Sequence, residues 1–107
     1  MDRLYILVRS DLNPGLMAAQ ACHAVAAFAD SYPTEHAAWH RGNCNLVVLE
    51  VPNEQELLAE DARARGAGAL VATFREPDLG ETATSSAIMG DAAKRLFRPL
   101  GLALRAA

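Results

Sequence analysis

Short apolar runs alternate along this chain with alanine-rich or amphipathic stretches. Residues 4–8 are apolar on both alternating faces, a pattern typical of a strand that is covered on both sides of a sheet. Strands are also predicted at residues 46–51, 70–74 and 85–89. Because strands separated by helices are typical of α/β proteins, the pattern favours an α/β fold with a mainly parallel sheet and helices on both faces.

Two helices are predicted directly after the first strand. Asn13 is a suitable N-cap, Pro14 suits the first helical position, and the first helix is expected to run to about Asp30. A shorter helix is expected over residues 33–39, with Gly42 as its stop.

Two more helices are expected in the second half of the chain. Asn53 and Glu56 have the spacing of a capping box, and the helix that follows them should stop at Gly66. Its buried side is expected to hold Leu57, Leu58 and Ala62. The final helix is expected to open at Asp91 and to end at Pro99.

Composition excludes several classes of protein. The chain has 107 residues, 51% of them hydrophobic and 21% charged, so a single domain over residues 1–107 is expected and disorder is not. No stretch approaches the ~20 consecutive apolar residues of a membrane span, and no room precedes the first strand for a signal peptide. We therefore expect a cytoplasmic protein with no membrane partner. The net charge of −3 disfavours a broad nucleic-acid-binding surface.

The cysteines and histidines do not form a recognisable metal pattern. Cys22 and Cys44 match neither a disulfide framework nor a zinc spacing, so buried free thiols are expected. His36 and His40 are four residues apart, which can chelate a metal, but no third ligand accompanies them. They are interpreted as a surface pair, and no metal site is predicted.

The first strand-to-helix junction carries the most informative side chains. Gln20 and His23 are the only polar residues between Leu16 and Phe28, and their spacing puts them on one helical stripe with Leu16 and Ala27. One interpretation places them on the exposed side of the helix or against backbone groups. The other places them in a cleft, where His23 transfers a proton or positions a water near neutral pH.

Two acids follow the third predicted strand. If the first and third strands are parallel, their loops emerge at one edge of the sheet, so Glu76 and Asp78 would face Asn13, Gln20 and His23 across one cleft. A carboxylate beside an imidazole raises the pKa of the imidazole and orients it, which suits the activation of water against an ester. The alternative is a capped turn whose acids are solvated.

The segment at residues 7–12 and the run A-A-Q-A-C-H-A at residues 18–24 resemble the signature of the type II peptidyl-tRNA hydrolases. In that family a basic residue precedes an A-A-Q-x-x-H-A helix, and Trp39 and Gly42 also match it. The resemblance implies a three-layer α/β/α sandwich on a four-stranded mixed sheet, a cytoplasmic homodimer and no metal or other cofactor. The implied substrate is peptidyl-tRNA or an N-blocked aminoacyl-tRNA.

The sequence departs from the family pattern at a cation. Leu16 stands where the family carries a lysine, two positions before the paired alanines. That lysine could hold a phosphate or stabilise developing negative charge, and leucine can do neither. Arg75, or Arg9 at the end of the first strand, is a candidate replacement.

The loop after the third strand departs as well. The family's D-A-G-x-T loop becomes residues 75–82, with Glu76 at the aspartate position and Asp78 as a second candidate. A later threonine of the family is matched by Ser85 or Thr84.

The leading hypothesis is hydrolysis of the ester between a peptidyl or N-blocked aminoacyl group and tRNA. His23 would transfer a proton, Gln20 would position, and Glu76 or Asp78 would be the orienting carboxylate. The candidate substrate-binding residues are Asn13, Arg9, Arg75, Thr84 and Ser85. Two alternatives are a catalytically inactive binding or regulatory module on the same fold, and an esterase or amidase for a smaller substrate. Leu16 and the acidic charge favour the alternatives, whereas Gln20 and His23 favour hydrolysis of the tRNA ester.

Overall fold

A computed structural model describes residues 2–105 and shows one mixed sheet of four strands. The strands are β1 (Leu4–Arg9), β2 (Leu46–Val51), β3 (Leu70–Glu76) and β4 (Thr82–Met89). Their order across the sheet is β2-β1-β4-β3. Strand β2 has the predicted bounds, whereas β3 runs two residues further and β4 begins three residues earlier than the apolar runs indicated.

Among the strand pairings of the described residues, only one is parallel. Strands β1 and β2 run parallel, whereas β4 is antiparallel to both β1 and β3. The mixed sheet implied by the family resemblance is therefore confirmed. The expectation of a mainly parallel sheet is wrong, since two of the three described pairings are antiparallel. Strands β3 and β4 are joined by a short turn, and strands joined this way must pair antiparallel. The turn contains a single 3-10 turn, Pro77–Leu79, and Gly80 in the left-handed region at φ 68°.

Within residues 2–105, four helices flank the sheet: α1 (Pro14–Ser31), α2 (Pro33–Arg41), α3 (Glu54–Gly66) and α4 (Ala93–Leu96). Two of the three predicted side-chain caps, Asn13 and Asn53, are present. The Asn13 Oδ1 atom accepts from the Leu16 amide at 2.9 Å, and the Asn53 Oδ1 atom accepts from the Glu56 amide at 2.9 Å. Helix α1 packs on one face of the sheet and α3 on the other, with α2 against α1, which confirms the three-layer sandwich. These two faces are called the α1 face and the α3 face below.

The last helix is shorter than predicted. It begins after Ala92 rather than Asp91, has no side-chain cap and spans only four residues. Phe97, directly after this helix, is buried, and its ring packs edge-on against Tyr5 with centroids 5.7 Å apart. Beyond it the chain returns to the outer edge of β2, where an isolated bridge joins Leu102 and Leu49.

The buried side of α3 differs from the prediction. Leu57 is buried as expected, but Leu58 is 36% exposed and Ala62 is exposed. The buried positions are Leu57, Glu60, Asp61 and Ala64. Hydroxyl groups on the sheet donate hydrogen bonds to Asp61, which allows this acid to be buried. A prediction that buries only apolar residues could not find it.

The two thiols are exposed rather than buried. The buried stripe of α1 consists of Met17, Gln20, Ala24 and Phe28, which leaves Cys22 away from the core. Cys44 lies between α2 and β2 at φ 50°, with its Sγ atom 3.8 Å from Nδ1 of His40. Over residues 2–105, none of the helices combines the length and apolar character that a membrane crossing requires.

The buried carboxyl of Asp61 makes stability depend on pH. Burial raises its pKa above the ordinary value of 3.8, against hydrogen bonds from Thr73 and Ser86 and the charges of Arg65 and Arg75. The folded state therefore keeps this proton to a higher pH than the unfolded state. The stabilising contribution of Asp61 to the free energy of unfolding is fully present below pH 3.8, the ordinary pKa. It is lost as the pH rises through the raised pKa of the folded state.

We expect Asp61→Asn to stabilise the protein more at about pH 7 than at about pH 4, because the amide is never charged and still offers an oxygen to the two hydroxyls. Urea unfolding of both proteins at the two pH values measures this difference. An identical difference at both would contradict the raised pKa.

Candidate active site

One edge of the sheet collects the residues with chemical potential. Strands β1 and β3 are both antiparallel to β4, so they point in the same direction, as the sequence predicted. Their loops therefore lie at the same edge, together with the start of α1. The prediction that the first helix and the loop after β3 meet in space is confirmed by a hydrogen bond between Gln20 and Glu76.

Gln20 is the centre of this arrangement. It is 1% exposed and faces the sheet from α1. Its Nε2 donates to Oε1 of Glu76 at 2.9 Å, and its Oε1 accepts from Oγ1 of Thr84 at 2.5 Å. Its backbone carbonyl accepts from Oγ of Ser85 at 2.7 Å. Because an ionised carboxylate only accepts hydrogen bonds, Glu76 fixes which end of the Gln20 amide is the nitrogen.

A bulge brings both hydroxyls to Gln20. Phe74 pairs with Ser85 but Arg75 pairs with Ala83, so Thr84 is an extra residue of β4 with no partner on β3. Such a bulge interrupts the strict alternation of side chains between the two faces, and both Thr84 and Ser85 reach the α1 face. The sequence left these two as alternatives for one role, and the structure places both on Gln20.

Glu54 of α3 supports the same bulge. Its Oε2 accepts from the backbone amide of Ala83 at 2.7 Å. Sequence reasoning missed Glu54, which was hidden among the acids that commonly occupy the first turn of a helix.

His23 is exposed and lies one helical turn beyond Gln20. Its ring stacks on Phe74, with centroids 4.6 Å apart and an interplanar angle of 16°. Among the side-chain hydrogen bonds of the described residues, none involves His23, so Glu76 orients Gln20 and not the imidazole as the sequence had suggested. The sequence predicted Phe74 only as the end of a strand; the signal that could have found it is an aromatic residue at the last positions of a strand before the edge that carries the candidate site.

The two loop acids are separated by the structure. Glu76 is half-buried at the site, whereas Asp78 is exposed in the 3-10 turn and has no side-chain hydrogen bond within residues 2–105. Asn13 is occupied as the cap of α1, with its oxygen on the Leu16 amide. Of the two acids, Glu76 is therefore the one that the structure brings to Gln20.

The two arginines lie on the α3 face. Side chains alternate between the two faces of a strand, and Arg9 lies two residues after Leu7, which packs on the α3 face. Phe74 and Glu76 both point to the α1 face, so Arg75 between them points to the α3 face. Arg9 makes an ion pair with Asp11 at 2.8 Å and donates to the Ala83 carbonyl at 3.2 Å. Its hydrogen bond holds the pKa of the Asp11 carboxyl below the ordinary value of 3.8. Arg75 donates to the Glu81 carbonyl at 3.3 Å, so the structure brings neither guanidinium to Leu16.

This geometry can be compared with known proteins. The family model described as Peptidyl-tRNA hydrolase PTH2 matches residues 3–91, which include every site residue described above. The chain belongs to the peptidyl-tRNA hydrolase PTH2 family. A search among curated proteins finds no significant match.

One solved structure supports the fold of this PTH2 family member. It is a protein of unknown function from Agrobacterium tumefaciens, superposed with a TM-score of 0.64. The alignment covers 94% of this chain and 96% of that chain at 9% sequence identity. At this identity the likeness of the PTH2 member to that structure concerns the fold alone.

Proposed function

We propose that this member of the PTH2 family hydrolyses the ester that joins a peptidyl or N-blocked aminoacyl group to tRNA. The observation that carries the proposal is the buried Gln20 beside the exposed ring of His23: Glu76 and Thr84 hold its side-chain amide, and Ser85 holds its backbone carbonyl. A fixed amide and carboxylate next to an accessible imidazole are suited to positioning water and moving protons.

In this mechanism the carboxylate and the imidazole have separate tasks. Gln20 holds Oε1 of Glu76, so Oε2 is the oxygen that can accept a hydrogen bond from the attacking water. Water adds to the ester carbonyl carbon, the C–O bond to the tRNA ribose breaks, and the acyl group leaves as a carboxylic acid. His23 takes the proton from water and returns it to the ribose oxygen, so the side chains end the cycle as they began it.

The proposal includes a cytoplasmic homodimer, as the family resemblance implies. Apolar side chains around the outer strand β2 support it, since Leu46, Leu102 and Leu104 are 46%, 57% and 46% exposed. Exposed apolar groups concentrated in one region are typical of protein interfaces. Sedimentation velocity would give the mass of a single chain if this part of the proposal is wrong.

The test is release of tRNA from N-acetyl-aminoacyl-tRNA. We expect multiple turnovers by the wild type, followed as free tRNA on acid gels. An absence of release at an enzyme concentration close to that of the substrate would contradict the proposed hydrolysis.

A binding or regulatory module on the same fold is the second candidate. The observation that favours it is Leu16 at the position of the family lysine, with Arg9 and Arg75 both on the opposite face of the sheet. Such a module would hold tRNA without releasing it.

Leu16→Lys is expected to raise kcat/KM for tRNA release by about tenfold, because a cation at the start of α1 could hold a phosphate or stabilise the negative charge that develops on the ester. Leu16→Met is the matched control, since it keeps the apolar volume and adds no charge. Equal rates for the two variants would show that a cation at this position contributes nothing.

A further inference from the structure

A buried carboxyl lies on the face of the sheet opposite the candidate active site. Asp61 of α3 is 1% exposed, and its Oδ2 accepts from Oγ1 of Thr73 at 2.6 Å and from Oγ of Ser86 at 2.9 Å. Its Oδ1 has no hydrogen-bond partner among the described residues. Burying a carboxyl with one oxygen unpartnered is unfavourable for folding, so the interactions that distinguish Asp61 are the two hydrogen bonds that its Oδ2 accepts from the sheet.

The two hydroxyl groups that bind Asp61 belong to directly opposite residues on neighbouring strands of the sheet. Thr73 of β3 is paired with Ser86 of β4, and the register shift begins one pair later, between Phe74 and Arg75. Asp61 therefore fastens the two strands together immediately before the bulge that turns Thr84 and Ser85 to the α1 face.

The chain neighbours of Thr73 and Ser86 support the candidate active site. Phe74 stacks against His23, and Ser85 donates to the backbone carbonyl of Gln20. Neighbouring residues share a peptide backbone, so a hold on one face of the strand fixes the position of the adjacent residue on the other face. Displacement of a reacting group by about 1 Å can lower a rate by roughly a hundredfold.

We propose that Asp61 is a positioning residue for this site, acting through the sheet on the two residues that support Gln20 and His23. Among the described residues, the hydrogen bonds of Asp61 go to Thr73 and Ser86 and not to Gln20, Glu76 or His23, so its effect is carried by those two hydroxyl residues. The proposal rests on the proposed ester hydrolysis for its kinetic readout, whereas a spectroscopic readout of Gln20 needs no turnover.

The kinetic test compares two buried acids on the same helix. Asp61→Ala is expected to lower kcat for tRNA release from N-acetyl-aminoacyl-tRNA by about tenfold, with KM changed less than about twofold. Glu60→Ala is the matched control, because Glu60 is also buried on α3 but its side-chain hydrogen bond is to Arg63 of the same helix. Asp61→Asn keeps an oxygen for both hydroxyls and should restore kcat. An equal loss of kcat in Glu60→Ala, or no recovery in Asp61→Asn, would overturn the proposal.

The second readout is the side-chain amide of Gln20 in nitrogen-15 NMR spectra. The chain has two glutamines, and the exposed Gln55 serves as the internal reference. Asp61→Ala is expected to shift the Gln20 signals and to leave those of Gln55 in place. Unmoved Gln20 signals would overturn the positioning role even if the protein hydrolyses its substrate.

The two proposals can fail separately. A wild type that releases no tRNA counts against hydrolysis, whereas shifted Gln20 signals in Asp61→Ala would still support positioning. If Asp61→Ala does not fold, Ser86→Ala removes the hydrogen bonds of Ser86 to Asp61 and Thr73, keeps the one from Thr73 to Asp61, and is expected to shift the same signals. Wild-type Gln20 signals in that variant would contradict the proposal.

Discussion

His23→Ala is expected to lower kcat for tRNA release by about 10²–10⁴-fold, the range that a positioned general acid or base contributes. His23 is exposed, so the free energy of unfolding should change by no more than about 0.5 kcal/mol. The measurement is steady-state release of tRNA from N-acetyl-aminoacyl-tRNA together with urea unfolding. His40→Ala, which removes an exposed histidine from α2, is the control and should behave as the wild type.

The stack of His23 on Phe74 raises a competing role that a further variant tests. His23→Phe keeps a flat ring that can stack on Phe74 but carries no transferable proton. We expect it to be as slow as His23→Ala. A rate near that of the wild type would mean that the ring acts as a stacking surface for substrate, and the proton-transfer role would be wrong.

Gln20→Leu is expected to remove most of the activity and to lower the free energy of unfolding by about 1–3 kcal/mol, because the buried Thr84 hydroxyl loses its acceptor. Glu76 is only half-buried, so water can replace the hydrogen bond that it loses from Gln20. Loss of that hydrogen bond therefore affects catalysis more than stability. Urea unfolding and tRNA release measure the two effects. Gln55→Leu changes the other glutamine, which is exposed, and should leave both unchanged.

A double variant separates stability from catalysis at Gln20. Thr84→Val in the Gln20→Leu background replaces both hydrogen-bonding partners by apolar groups, which can be nearly neutral for folding. We expect stability to return and the rate to stay low. Recovery of both would show that Gln20 has a structural role alone.

The sequence predicted those parts of the fold that depend on local pattern. The β2 strand and the Asn13 and Asn53 caps follow from β-branched runs and capping chemistry, which involve residues close together in the chain. The edge that joins α1 to the β3 loop was also predictable, because strand direction alone determines it.

The parts that were missed depend on contacts between distant residues. The inward position of Asp61 requires hydroxyls on two strands that come later in the chain, and the exposure of Cys22 follows from which stripe of α1 packs on the sheet. The choice of Glu76 over Asp78 depends on where β3 ends, and β3 runs two residues beyond the apolar run that predicted it. Apolar pattern carries no information on such polar partnerships.

The side chains that hold Gln20 are all on one hairpin, formed by β3, its short turn and β4. This hairpin closes between residues near in sequence, whereas the three hydrogen bonds to Gln20 join residues 56, 64 and 65 positions apart. Closing a longer loop costs more conformational entropy, so the hairpin can form before α1 docks on it. During synthesis α1 leaves the ribosome before residues 76–85, which carry the hydrogen-bonding partners of Gln20. The cluster around Gln20 therefore cannot form before residues 76–85 have been synthesised.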